Sequence, residues 1–170
     1  RFTKADGLSD DSVYAIKDGG EVIWIGTDGN GLDYYDRKSR CIRSLNMGTA
    51  TGLGSVYSIY PQNDTLWVGT SGYGMYMLEI DRTTLPYSVR NARQYSYDSR
   101  NSSLSSDVVY SIVPDSHRKL WVGTRGGGLG RFDIKTGSYE SFRFSAEDAH
   151  LVSADDVLSL MKDSRGDLWV

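Results

Sequence analysis

The stretch that decides the fold is LWVGTRGGGL, residues 120–129, in which an apolar run leads into a cluster of glycines. Closely similar stretches occur upstream, as WIGTDGNGL at residues 24–32 and WVGTSGYGM at residues 67–75. Trp169 and Val170 begin a fourth copy. Copies spaced by roughly 40–50 residues indicate a repeat architecture rather than a single irregular domain.

A second motif precedes each tryptophan at a nearly constant spacing. It reads VYAI at residues 13–16, VYSI at 56–59, VYSI at 109–112 and VLSL at 157–160. Two motifs in fixed order, repeated along the whole chain, define one structural unit that is used several times.

The third copy shows how one unit is built. Alternating apolar and polar residues predict strands at 108–113, 120–124, 129–134 and 138–144. A polar turn is expected at 114–119, and the glycine of KTG at 135–137 suits a hairpin turn. Four short strands in each repeat are typical of a β-propeller blade. The fold class is therefore predicted to be all-β, with four-stranded antiparallel blades.

The repeat register divides the chain into about three complete blades and two partial ones. We expect the complete blades at approximately 8–52, 53–103 and 104–149. Residues 1–7 are expected to end a preceding blade, and residues 150–170 to begin a following one. Because a propeller ring usually needs four to eight blades, the chain is expected to be part of a larger propeller sensor domain.

Composition narrows the classes of function. The net charge of −3 argues against a protein that binds the phosphate backbone of nucleic acids. No run approaches the ~18 apolar residues of a membrane helix. Cys41 is the only cysteine, so neither a disulfide framework nor a cysteine-rich metal site is expected. We expect no cofactor, no metal and no catalytic residue in this segment.

The repeated tryptophans and glycines have a structural interpretation. A tryptophan in the second strand can fill the wedge between neighbouring blades, and a glycine beside it lets two backbones approach closely. We therefore assign scaffold roles to Trp24, Trp67, Trp121, Trp169, Gly26, Gly69 and Gly123.

The same residues carry a family resemblance. LSSDVVYSI at 104–112, the glycine-rich stretch at 120–129 and RFD at 131–133 together resemble the two-component regulator propeller repeat. DSRGDLWV at 163–170 resembles another segment of that repeat. The second copy departs from the pattern, with Gly54 in place of Asp11, Asp107 and Asp155, and with a longer tail at 81–101.

The resemblance implies the periplasmic sensor region of a hybrid two-component system histidine kinase, in an inner-membrane protein. Such regions carry propellers followed by a membrane helix and signalling domains, and many detect oligosaccharides and control glycan-utilisation genes. The implied partners are an oligosaccharide, the remaining blades and signalling domains of the same chain, and a second copy in a homodimer. This segment would contact no nucleic acid, and would reach the membrane only through parts of the protein outside it.

Ligand-binding candidates follow from the order of strands. In a four-stranded blade, the turn between the second and third strands lies on the same face as the connection between blades, and concave sites form there. Within a repeated frame, variable polar and aromatic residues are the natural specificity positions. The turns offer Asp28, Asn30, Tyr73 and Arg125, and the connections offer Arg100, Asn101 and His150.

Two features of these positions refine the expectation. Arg125 would suit an anionic sugar, because its guanidinium fork binds planar anions. The recurrent Asp11, Asp107 and Asp155 are expected instead to hold their turns, by accepting hydrogen bonds from backbone N–H groups.

Two other functions remain alternatives at this point. One is a propeller lyase of the streptogramin-inactivating type, for which His150 would be the available base. The other is a propeller that binds proteins and has no small ligand. A fold of this kind can host any of the three, so the choice depends on the site.

Overall fold

In the computed structural model, the described residues are 1–29, 31–48, 52–98, 104–116, 118–143, 145 and 154–170. Within them the chain forms one short 3-10 helix, Lys4–Asp6, and fourteen strands. The strands are β1 Val13–Asp18, β2 Val22–Thr27, β3 Leu32–Asp36, β4 Cys41–Ser44, β5 Val56–Gln62, β6 Thr65–Thr70, β7 Met75–Asp81, β8 Ser88–Tyr95, β9 Val109–Ser116, β10 Lys119–Thr124, β11 Leu129–Asp133, β12 Tyr139–Phe142, β13 Met161–Lys162 and β14 Leu168–Trp169. Among the described residues, no helix has the length and apolarity to cross a membrane.

Consecutive strands pair into antiparallel sheets. β1–β4, β5–β8 and β9–β12 each form a four-stranded sheet in sequence order, and β13 pairs with β14. The predicted all-β class with four-stranded antiparallel propeller blades is confirmed. We refer to the three complete sheets as blades one, two and three.

The strands of the third copy lie close to the predicted ranges, and the largest difference is at the turn between the first two strands. β9 continues to Ser116, and Pro114 lies opposite Leu120 in the ladder, where a turn was expected. Pro114 is accommodated because β9 is an edge strand of its sheet, where one missing N–H is tolerated. The turn to β10 is correspondingly shorter.

Residues 1–7 were expected to end a preceding blade. They contain the 3-10 helix and no strand, and the ring of Phe2 lies 5.7 Å from that of Tyr35 in blade one. The division of the chain at residues 7, 52, 103 and 149 stays a prediction.

Neighbouring blades meet through a glycine in one and a valine in the next. A Cβ at Gly26 would lie 2.6 Å from Val56, and one at Gly69 would lie 2.7 Å from Val109. A Cβ at Gly123 would lie 2.8 Å from Val157. The glycine therefore allows the first strand of one blade to pack directly on the second strand of the blade before it.

The blade tryptophans occupy graded environments. Trp24 and Trp67 are fully buried, in clusters that include residues of the following blade. Trp121 is partly buried against Phe142, with the Arg131 guanidinium 5.3 Å from its ring. Trp169 is 55% exposed, so within the described residues it fills no wedge of the expected kind.

Side-chain hydrogen bonds connect the first strands of neighbouring blades, which lie side by side and which we call the innermost strands. The Ser58 hydroxyl accepts a bond of 2.9 Å from the backbone N–H of Ile112 in blade three. The Ser111 hydroxyl accepts one of 3.1 Å from the N–H of Leu160. The serine at the third position of the two VYSI copies thus links β5 to β9, and β9 to the residue before β13, whereas blade one has Ala15 at this position.

Candidate functional site

The turn after the second strand is tied to the residue that precedes the first strand in every complete blade. The backbone N–H of Asp28 donates to Ser12 O at 3.0 Å, and that of Ser71 donates to Ser55 O at 3.0 Å. The N–H of Arg125 donates to Val108 O at 3.0 Å. Turns and connections therefore share one face of the blades, which we call the connection face.

Asp28 bridges two blades on the connection face. Its carboxylate accepts a hydrogen bond of 2.5 Å from the Ser55 hydroxyl and one of 3.3 Å from the Tyr14 hydroxyl. The nearby Asp28 charge raises the pKa of Tyr14, which keeps that phenol a hydrogen-bond donor. Asp28 therefore positions other groups at this face.

Tyr73 lies in the turn of blade two and is 51% exposed. Its ring covers Gly54, where a Cβ would lie 2.9 Å from the tyrosine Cε2. Its backbone is held by Thr70 Oγ1, which accepts from the Tyr73 N–H at 3.1 Å, and by the Gln94 amide, which donates to the Tyr73 carbonyl at 3.0 Å. Gly54, where the second copy departs from the aspartate of the other copies, thus leaves room for the Tyr73 ring.

Arg125 is exposed on the turn of blade three. The following turn backbone is fixed by the next connection: Gly126 N–H donates to Asp156 Oδ1 at 2.6 Å, and Gly128 N–H donates to Asp155 O at 2.8 Å. The other predicted site residues, Asn30, Arg100, Asn101 and His150, lie outside the described residues.

Two of the recurrent aspartates, Asp11 and Asp107, accept hydrogen bonds from backbone N–H groups, as expected. Asp11 Oδ1 accepts from the Lys4 N–H at 2.7 Å, and Asp107 Oδ1 accepts from the Tyr97 N–H at 2.7 Å. The hydrogen bond from the Ser12 N–H, together with Lys4, lowers the pKa of the neighbouring Asp10. These carboxylates give the connection face fixed negative charge.

Sequence reasoning missed a row of aromatic residues on the innermost strands. Tyr14 and Tyr57 have ring centroids 5.2 Å apart, and Tyr57 and Tyr110 have centroids 5.4 Å apart. These three residues, which we call the tyrosine row, line an open cavity of about 340 Å³ together with the residues that follow them in the first strands and with residues 158–160. The available signal was the second position of the VYSI motif, which was interpreted only as a repeat marker.

A second concavity, of about 480 Å³, lies at the opposite ends of the strands. It is formed by the β1–β2 turn, the β5–β6 turn and Arg82. Arg82 donates to the Asn63 carbonyl at 3.0 Å and pairs with Asp64 at 3.3 Å, so its cation is already engaged. In the described part of the chain, no group of three or more His, Cys, Asp or Glu residues could hold a metal ion.

Comparison with known families identifies one repeat. Residues 103–126 match the family model described as "Two component regulator propeller". No curated protein matches the chain.

Comparison with solved structures gives matches over nearly the whole chain. The extracellular domain of the putative one component system BT4673 from B. thetaiotaomicron superposes with a TM-score of 0.75 at 18% identity, over 99% of this chain and 21% of that one. The extracellular domain of the putative hybrid two component system BT3049 from B. thetaiotaomicron gives 0.69 at 20% identity, over 99% and 22%.

A third match extends the comparison beyond those extracellular domains. PorZ, a bacterial surface component of the type-IX secretion system of Porphyromonas gingivalis, gives a TM-score of 0.51 at 15% identity, over 91% of this chain and 30% of that one. The chain spans about a fifth of the length of the first two matches. At identities this low, the superpositions establish that these proteins share the propeller fold, and they establish nothing further.

Proposed function

We propose that this chain is a ligand-sensing segment of a hybrid two-component sensor kinase and response regulator, located outside the cytoplasm. One observation carries the proposal: a two component regulator propeller repeat at 103–126 lies in a chain that superposes almost completely on extracellular domains of such systems. The segment itself would be non-enzymatic, and its parent an inner-membrane protein with its sensor region in the periplasm.

The ligand we propose is an oligosaccharide, whose detection would control genes for glycan utilisation. Sugars present hydroxyl groups for hydrogen bonding and C–H faces for aromatic contact, and proteins recognise them with polar groups set beside aromatic rings. The connection face and the adjoining first strands combine such groups, since Asp28 lies beside Tyr14, and Tyr73 is exposed nearby.

Signalling would require a change in a larger assembly, which we propose to be a homodimer of the full-length protein. A ligand shifts such an equilibrium only through different affinities for its two arrangements. The remaining blades would complete the ring, and the membrane and signalling domains would transmit the change. The net charge of −3 agrees with a segment that does not bind nucleic acid.

The proposal is tested by the full-length gene and by its response. We expect the gene to encode a membrane helix and a histidine kinase core, and autophosphorylation of the membrane-embedded protein to change on addition of a glycan digest. A gene without a kinase core would refute the proposal. A kinase whose activity is unchanged by every glycan digest, but is altered by a protein partner, would refute its oligosaccharide part.

A further inference from the structure

The tyrosine row is presented by the same backbone irregularity in all three blades. In the ladder between β1 and β2 the register shifts between Val13 and Ala15, so that Tyr14 is the extra residue. The shift falls at Tyr57 between β5 and β6, and at Tyr110 between β9 and β10. Each tyrosine therefore occupies a β-bulge at the equivalent position.

A bulge changes where one side chain points without disturbing its neighbours in the strand. The residues on either side keep their packing, since Val56 and Ile59 remain buried on both sides of the bulge at Tyr57. Bulges of this kind often re-aim a side chain beside a functional site. Here they turn three aromatic rings toward the open cavity and out of the wedge between blades.

The row is accessible and its geometry is fixed. Tyr14 is 51% exposed, and Tyr57 and Tyr110 are partly exposed. Each ring contacts the next, and Asp28 accepts the hydrogen bond of the Tyr14 hydroxyl at 3.3 Å. Little side-chain entropy would be lost on binding, because the rings are already held.

The carboxylates around the tyrosine row favour a ligand that carries no negative charge. The connections leading into the first strands carry Asp11, Asp107 and Asp155, and Asp28 adjoins the row itself. Carboxylates at this face repel anionic ligands, and those of Asp11 and Asp107 already accept bonds from backbone N–H groups. Among the described residues, Lys17 lines the far end of the cavity, Lys4 pairs with Asp10 at 3.1 Å, and Arg125 is exposed on the connection face.

We infer that the tyrosine row is a contact platform for an uncharged oligosaccharide, with the C–H faces of successive sugar rings lying on Tyr14, Tyr57 and Tyr110. The inference rests on the proposed function and deepens it, by naming the contact residues and the charge class of the ligand. It places the main contacts on the innermost strands, whereas the sequence pointed to Tyr73 and Arg125 in the turns.

The test measures glycan binding by the full-length protein in detergent, using isothermal titration calorimetry. The probes are uncharged hexasaccharides of glucose, xylose, mannose and arabinose, against oligogalacturonides and sulfated heparin hexasaccharides. We expect at least one uncharged probe to bind and the anionic probes to bind at least tenfold more weakly. Tyr57→Ala should weaken the bound probe at least tenfold, while Tyr57→Phe, which keeps the ring, should stay within about threefold.

Tyr97→Ala is the matched control, because Tyr97 follows the fourth strand of blade two, outside the row, and is an aromatic residue with 50% exposure. The affinity of this control variant for the bound uncharged probe should stay within about threefold of that of the unsubstituted protein. Unchanged melting temperature shows that a variant is folded, and if Tyr57→Ala unfolds, Tyr14→Ala replaces it because Tyr14 is the more exposed ring.

Each other result has a defined meaning. Binding that Tyr57→Ala and Tyr14→Ala leave unchanged overturns the platform but leaves the proposed function standing. Preference for an anionic probe overturns the charge class. Failure of every saccharide to bind, with kinase activity also unresponsive to them, overturns the oligosaccharide sensor and this inference together.

Discussion

At the scale of single residues, close approach between blades depends on the absence of one methyl group. Gly69 illustrates this, since an added Cβ would lie 2.7 Å from Val109 Cγ1 and 2.8 Å from the Val109 backbone oxygen. The backbone atom cannot move without moving strand β9. The repeated glycine is therefore required by packing rather than by an unusual backbone angle.

Gly69→Ala is predicted to lower the free energy of unfolding by about 3 kcal/mol, because overpacking forces the blades apart. Gly52→Ala is the control, since a Cβ at Gly52 would meet no atom within 4 Å. Urea denaturation followed by tryptophan fluorescence measures both. Equal stability of the two variants would contradict the blade-contact role of Gly69.

Blades one and three fill the same polar pocket with different residues. In blade one the buried Asp33 carboxylate accepts hydrogen bonds of 2.8 Å from the Ser9 hydroxyl and 2.7 Å from the Ser44 hydroxyl. In blade three the equivalent residue is Gly130, and the Tyr139 hydroxyl fills the space, 2.9 Å from the Ser105 hydroxyl. Glycine is needed at 130 because a Cβ there would overlap that hydroxyl.

The pH dependence of stability follows from Tyr139. Burial raises the pKa of Tyr139 above its usual value of 10.0, so the folded state keeps the phenol protonated where the unfolded chain ionises. Its contribution is fully present below about pH 10 and is lost as the pH rises through the folded-state pKa. Tyr34 and Tyr95, whose pKa values burial also raises, act in the same direction.

Tyr139→Phe should lose about 1 kcal/mol at pH 7, from its hydrogen bond, and should then decline less steeply above pH 10. Urea titrations from pH 7 to pH 11 measure this difference, with Tyr73→Phe as the exposed control. An identical alkaline slope in Tyr139→Phe and the unsubstituted protein would exclude the assignment.

At the scale of elements, a side-chain hydrogen bond connects neighbouring blades where the third motif residue is a serine. Ser58 and Ser111 accept N–H groups of the following strand, whereas the equivalent residue of blade one is Ala15. Ile59 pairs with Val68 in the same way that Ile112 pairs with Val122, so their backbone N–H groups have equivalent orientations. The Ile59 N–H is therefore expected to point toward residue 15, where a serine hydroxyl could accept its hydrogen bond.

Ser58→Ala is predicted to cost about 1–3 kcal/mol, since it removes the acceptor of the Ile112 N–H at a buried position. Ala15→Ser is predicted to add up to about 1 kcal/mol by supplying the missing bond. Chemical denaturation gives both values, and hydrogen exchange at Ile112 and Ile59 assigns them to these N–H groups. The prediction fails if exchange at Ile112 is unaffected by Ser58→Ala.

At the scale of the whole molecule, the blades are arranged side by side with their first strands adjacent, and one flank of blade one remains open. Ile16 is 70% exposed and Val13 37%, whereas the equivalent Ile59 and Val56 are buried. Each buried valine lies on a glycine of the preceding blade, and Val13 has no such glycine among the described residues. We propose that a further blade covers this flank in the complete ring.

Ile16→Lys tests the wider ring. In the full-length protein it should lower the melting temperature by several degrees, because it would place a charge in an apolar contact between blades. In the 170-residue chain alone the same change should have little effect, because the side chain is exposed there. Calorimetry of both proteins measures the difference, and equal small effects would argue against a covering blade.

The blade architecture could be predicted from the sequence, because turn chemistry and strand alternation are local and repeat in every copy. The motif around Trp121 fixed the second strand, and the glycines after it fixed the turn to the third. The repeat register also placed turns and connections on one face, since that follows from strand order alone.

Which side chains face the cavity and which enter the core could not be predicted in this way, because it depends on how the strands and blades pack together. A bulge turns Tyr57 toward the cavity. Trp169 is exposed whereas Trp24 is buried, although both occupy the same position of the motif. Tyr73 covers Gly54. In blade three the Tyr139 hydroxyl, from the fourth strand, occupies the place that the Asp33 carboxylate, from the third strand, takes in blade one. These outcomes depend on contacts between residues distant in sequence, and those contacts differ from copy to copy although the motif is the same.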